Sequence, residues 1–135
     1  MDVTHSAVAI VPCNDLDASQ AFYERLGFRA SAVYPDHGYR ILHDAEGASL
    51  HLTRTVPGWV VPERNAHGVY FYAENVEALA AEFGGRAEAK PWGLLEFALS
   101  DPDGMLVRIG WPNGASPPPR RSGGDPLATD LTHRP

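Results

Sequence analysis

The chain has 135 residues, 44% hydrophobic and 21% charged, the balance of a globular protein with one domain or two small halves sharing a core. No apolar run approaches the roughly 20 residues that cross a bilayer, and the opening MDVTHSAVAIV lacks the basic start of a signal peptide. Eleven Lys and Arg against 17 Asp and Glu leave a net charge of −6, which speaks against nucleic acid and is compatible with a cationic small molecule.

Cys13 is the only cysteine. It excludes an intramolecular disulfide and suits a reducing, cytoplasmic setting. The acidity is not a tail effect, since residues 112–135 hold three arginines against two aspartates.

Ser6 to Val11 is predicted as a short apolar strand ending at Pro12. Asn14-Asp15-Leu16-Asp17 then punctuates, and Ala18, Phe22 and Leu26 mark one face of a helix over 18–26. Asp17 with Gln20 resembles a capping box, and Gly27 suits the stop. Phe28–Val33 reads as the next strand, Tyr34–Gly38 as a turn, and Tyr39–His43 with Ala48–Thr53 as a hairpin across Asp44–Gly47. After a loop rich in proline and glycine, 55–66, the order restarts. Val69–Tyr72 is a strand, Asn75 a helix cap, and Val76, Leu79 and Phe83 a helical stripe ending at Gly84-Gly85. A weakly signalled strand follows. Glu96–Leu99 and Met105–Ile109 then flank Asp101-Pro102-Asp103-Gly104, a type I turn with proline at its second position.

Both halves therefore read β-α-β-β-β, with Asp15 and Asn75 lying 60 residues apart at equivalent points. This is an internal duplication. The halves, about 6–54 and 66–111, are too small to bury much alone, so each needs the other or a second copy of the chain. Six prolines and three glycines in 112–135 mark a disordered tail or peripheral arm.

The duplication, the Asp-Leu-Asp…Ala-Phe-Tyr…Leu-Gly-Phe string at 15–28 and the Asp-Pro-Asp-Gly hairpin resemble the glyoxalase/bleomycin-resistance (vicinal oxygen chelate) superfamily over about residues 6–111, the span of one domain at 1–111. The resemblance implies an α+β fold of paired modules, whose sheets curve into a cup with the helices outside. It also implies a metal site in the enzymes of that superfamily, a His on the first strand of each half and a Glu after the last hairpin. At those places this chain has Val8, Gly68 and Arg108, which cannot make such a site. His67 lies one residue out of step and His5 three, so both should face away. His51 could face the cup but has no evident partner. No catalytic metal and no cofactor is expected. Gly-rich phosphate loops, a G-x-S-x-G elbow and paired Cys/His motifs are missing as well.

A cup lined by aromatics is what remains. Alternation puts Gly68, Tyr70 and Tyr72 on one face and Val69 and Phe71 on the other. Trp92 in a Pro91-Trp92-Gly93 corner and Trp59 in the long loop add flat surfaces suited to a planar heteroaromatic ligand. Tyr39 on the first-half hairpin and the acid Glu96 join this candidate site, although the plainer reading of Glu96 is a hydrogen-bonded rim or dimer residue.

Within the superfamily, Pro-Trp-Gly followed by Glu-Phe-Ala and Asp-Pro-Asp-Gly, with Val60-Val61-Pro62-Glu63 upstream, looks like the bleomycin-resistance proteins. Those are non-catalytic homodimers that exchange N-terminal strands and hold the drug in grooves at the subunit interface. The resemblance implies a drug-stacking role for Trp92, with Tyr70, Tyr72 and Trp59 as walls. One departure is the connection 84–90, shorter than in those relatives, which removes part of the expected groove wall. Two alternatives stand beside this reading. One is a glyoxalase- or dioxygenase-type enzyme with a displaced metal at His51, His67 or Glu96; the other is a small-ligand domain for an unrelated compound.

Overall fold

The computed structural model describes residues 3–114; the tail expected from 112 onward lies, beyond Gly114, outside the described residues. Two helices and eight strands make an α+β fold with two four-stranded mixed sheets. The first half runs β1 (Ala9–Cys13), α1 (Leu16–Arg25), β2 (Arg29–Tyr34), β3 (Tyr39–His43) and β4 (Ser49–Arg54). The second runs β5 (Gly68–Tyr72), α2 (Val76–Glu82), β6 (Glu88–Ala89), β7 (Leu94–Ser100) and β8 (Leu106–Pro112). The sheet orders, β1-β4-β3-β2 and β5-β8-β7-β6, are the same topology twice. Asp15 and Asn75 both stand at the N-caps, as the duplication requires.

The described residues divide into two compact units, 3–71 with 98–108 and 72–97 with 109–114. In the first, β1 pairs in parallel with β4 of its own chain, Ile10 opposite His51. The strand lies three residues later than the apolar run suggested and contains Pro12. Proline is tolerated there because β1 is the sheet edge and one side of it needs no donor. Alternation then sorts the sheet. Val11, Cys13, Leu42, Leu50 and Leu52 are buried on one face. Ile10, Tyr39, Ile41, His43, His51 and Thr53 occupy the opposite, more open face.

Helix α1 begins at Leu16, two residues before the expected start, and its cap is Asp15, whose carboxylate accepts from Ala18 N at 3.1 Å. Asp17 and Gln20 do not form the cap; both bind Arg40 of β3 instead. The buried stripe is Leu16, Ser19, Tyr23 and Leu26, not the Ala18–Phe22–Leu26 line. The reason is polar. Tyr23 Oη donates to Asp101 Oδ2 at 2.8 Å and Ser19 Oγ to Asp103 Oδ2 at 3.3 Å, so both hydroxyls must turn inward. Asp103 Oδ1 also accepts from Asn14 N and Nδ2 at 3.1 and 2.8 Å. Asp101 Oδ1 accepts from Asp103 N and Met105 N, both at 2.9 Å. Buried carboxylates are tolerated only when bonded in this way. The Asp101–Gly104 turn thereby fastens the last hairpin to the first helix.

Tyr23, beneath this network, keeps its phenol proton far beyond the usual range, through burial first and then the charge of Asp101. Burial likewise pushes the Cys13 thiol up to about 11. In the same unit Phe71 packs edge-on against Phe28, ring centres 5.5 Å apart, which puts it on the core side as alternation predicts. The second unit contains α2, with Val76, Leu79 and Ala80 buried, and the two-residue β6 paired to β7. Among the described residues no helix is long and apolar enough to cross a membrane.

Candidate functional site

Two hairpins share one loop design. Gly93 N donates to Lys90 O at 3.1 Å and Lys90 N to Leu94 O at 2.8 Å; Gly104 N donates to Asp101 O and Asp101 N to Met105 O, each at 2.9 Å. The non-glycine residues inside both loops have negative φ, which excludes type II, and Gly93 and Gly104 follow at φ 84° and 76°. Each is a type I turn closed by a left-handed glycine, a combination in which proline at the second position and glycine at the fourth suit the backbone. Pro91 and Gly93 therefore serve to present Trp92 on a stiff three-residue loop.

The indole of Trp92 is half-buried, and its Nε1 donates to Glu96 Oε1 at 3.3 Å. Glu96 is only 3% exposed. It sits directly opposite Glu88 in the β6–β7 ladder, so the two carboxylates lie on one face of that strand pair. Lys90 Nζ lies 3.5 Å from Glu88 Oε2. Pro91, Trp92, Gly93 and Glu96, four of the residues singled out from sequence, are thus brought together. The short 84–90 connection is spent on Gly84, which leaves α2 at φ 74°, and on β6 itself.

The remaining candidates lie on other elements. Tyr72 ends β5 with 61% of its surface exposed, and Tyr70 is half-buried two residues earlier. Trp59, in the loop after β4, is 77% exposed. Tyr39 on β3 is half-buried, and its hydroxyl lies 2.7 Å from His51 Nδ1, the rings meeting edge-on with centres 5.4 Å apart. This pairing was not foreseen. The hairpin register contained the signal: Ile41 faces His51 and Tyr39 faces Thr53, which makes Tyr39 and His51 diagonal neighbours on one face. Beside Tyr39 a cavity of about 120 Å³ is lined in part by Tyr34, Arg40 and Arg54. It is too small for a drug-sized molecule.

The residues do not fit the metal that the enzymes of the expected superfamily hold. Val8, Gly68 and Arg108 supply an alkyl group, no side chain and a cation. His5 and His67 are exposed outside the strands, with His67 N donating to Asn65 Oδ1. Nδ1 of His51 is taken by Tyr39. Among the described residues no group of three or more His, Cys, Asp or Glu is arranged to hold a metal ion.

Comparison with known proteins gives the same family. Residues 4–109 match the model of the Glyoxalase/Bleomycin resistance protein/Dioxygenase superfamily. No curated protein matches the sequence. Among solved structures, a bleomycin-binding protein complexed with bleomycin is similar at 25% identity and a TM-score of 0.68, over 80% of this chain and 98% of that one. A bleomycin resistance determinant encoded on the transposon Tn5 is similar at 26% identity and a TM-score of 0.69, over 82% and 99%. TnmS3, an antibiotic binding protein from Streptomyces sp. CB03234, is similar at 25% identity and a TM-score of 0.65, over 84% and 99%.

Proposed function

The chain belongs to the Glyoxalase/Bleomycin resistance protein/Dioxygenase superfamily, and we propose that it is a binding protein, not an enzyme, that captures a cationic, heteroaromatic antibiotic of the bleomycin type without a metal ion. The observation that carries this reading is the Trp92 corner. A tryptophan fixed by a proline-glycine turn, with its indole N–H on a buried carboxylate, offers a flat apolar face next to negative charge. Stacking on such a face contributes about 0.5–1.5 kcal/mol beyond area burial. The buried carboxylate of Glu96 attracts the cationic part of the same ligand, strongly because water is excluded there. Tyr72, in the same unit, serves as a further aromatic wall, while Tyr70, Trp59 and Tyr39 offer aromatic surface of their own in the other unit.

The functional unit in this reading is a cytoplasmic homodimer that exchanges N-terminal strands, the exchanged β1 taking the place on β4 that β1 of the same chain holds in the single chain, with the drug held in a groove at the subunit interface. Val3 and Val8, both exposed ahead of β1, support a second copy covering that end of the chain. Sedimentation should give about twice 14.7 kDa, and a clear monomer would remove the groove.

The test is a tryptophan-fluorescence titration with metal-free bleomycin, repeated on Trp92→Ala. Saturable quenching at sub-micromolar drug, lost or much weakened in the variant, is the expected result. Equal quenching in both proteins would move the ligand away from the corner.

A further inference from the structure

We propose that Tyr39 and His51 form one polar recognition element on the open face of the first sheet, in which Tyr39 holds the imidazole so that Nε2–H donates to a carbonyl or amide oxygen of the ligand. The inference rests on the antibiotic-capture reading and gives it a specificity determinant outside the Trp92 corner.

Leu42, Leu50 and Leu52 are buried on the helix side of β3 and β4, so His51 projects from the other side. In register it lies between Ile10 of β1 and Ile41 of β3. Ile10 is largely exposed and Ile41 is half-buried. A single ring nitrogen framed by two isoleucines is the arrangement of a small-molecule wall, mostly apolar with a few placed polar atoms.

The chemistry follows from the hydrogen bond. A phenol donates better than it accepts, and at 2.7 Å the Tyr39 hydroxyl is well placed to donate to His51 Nδ1. With Nδ1 accepting, the one proton of a neutral imidazole must sit on Nε2. In the imidazolium Nε2 carries a proton as well, with Nδ1 then donating to the phenol oxygen. Nε2 is therefore a donor in both charge states. Edge-on contact at 81° fixes the ring plane, and among the described residues no protein group accepts from Nε2. The atom is left for solvent or for a ligand.

Two measurements test this on the full-length protein. The first uses no ligand: a long-range proton–nitrogen NMR spectrum of the nitrogen-15-labelled chain. His51 in its neutral form should be the Nε2–H tautomer, and Tyr39→Phe should relax it to a mixture. An Nδ1–H tautomer in the wild type overturns the inference whatever the ligand proves to be. The second titrates metal-free bleomycin into folded variants, with thermal melts as the control for folding. His51→Ala should bind about 3- to 10-fold more weakly, the usual worth of one net hydrogen bond. His51→Gln, whose amide nitrogen stands near the Nε2 position, should recover most of that loss. Wild-type binding that is unchanged in both variants overturns this inference alone. A wild type that binds no drug overturns the capture reading and this inference with it.

Discussion

Tyr23→Phe removes one oxygen atom from the middle of the first unit, and the structure says how much that should cost. The hydroxyl is fully buried and donates at 2.8 Å to Asp101 Oδ2. Asp101 is itself 5% exposed, and its other oxygen is already committed to Asp103 N and Met105 N. A hydrogen bond to a charged acceptor is worth about 1.5–3 kcal/mol, and the lost donor leaves a buried carboxylate oxygen without its partner. The ring stays in place against Phe22 and Phe28, so no cavity term is added. The expected loss is about 2 kcal/mol, or about 6–10 °C in Tm for a chain of this size. Urea denaturation at pH 7 measures it, with the m-value unchanged. Tyr34→Phe, an exposed tyrosine, is the control and should stay within about 0.5 kcal/mol. Pairing Tyr23→Phe with Asp101→Asn should give a coupling energy of about 1 kcal/mol or more. A Tyr23→Phe loss no larger than the Tyr34→Phe control would refute the claim that this network fastens the hairpin to the helix.

Two glycines with the same backbone should respond differently. Gly104→Ala should cost several kcal/mol, on the order of 3 or more, because a Cβ there would overlap the Pro62 backbone, whereas at Gly93 nothing lies near and only the left-handed strain, about 1 kcal/mol, is felt; equal losses on thermal or urea denaturation would contradict this. Alkaline pH should weaken the fold. The folded state keeps the Cys13 proton up to about 11 while an ordinary thiol loses it near 9.0. Between those values the unfolded chain binds fewer protons, and stability falls with rising pH by up to about 1.4 kcal/mol per unit. Cys13→Ala should flatten that limb in urea melts taken from pH 8.5 to 10, and an unchanged slope would exclude the thiol as its source. Asp15→Ala, which deletes the α1 cap, should cost about 1 kcal/mol in the same assay.

Much of the architecture could be read directly from local pattern. Tyr39–His43 has the bounds expected, the two N-caps stand where the duplication puts them, and the Asp101–Gly104 turn forms as its residues dictate. The misses have one physical cause, which is that distant partners decide local geometry. Ser19 and Tyr23 turn inward for carboxylates 84 and 78 residues away, so the buried stripe of α1 departs from its apolar periodicity. The parallel pairing of β1 with β4 sets where that strand begins, and no local signal carries it. At the site, the Pro91-Trp92-Gly93 corner was visible because turn chemistry is local. The contact between Trp92 and Glu96 spans only four residues and is local as well, whereas that between Tyr39 and His51 needed the hairpin register.

Capture of a bleomycin-type antibiotic without a metal ion is tested most directly by calorimetric titration of metal-free bleomycin into the full-length protein with EDTA present. The expected result is saturable, sub-micromolar binding at one drug per chain, two per dimer, with heats unchanged when chelator is replaced by buffer. Absence of binding in EDTA, or binding that returns only when a divalent metal is added to the protein, would contradict it.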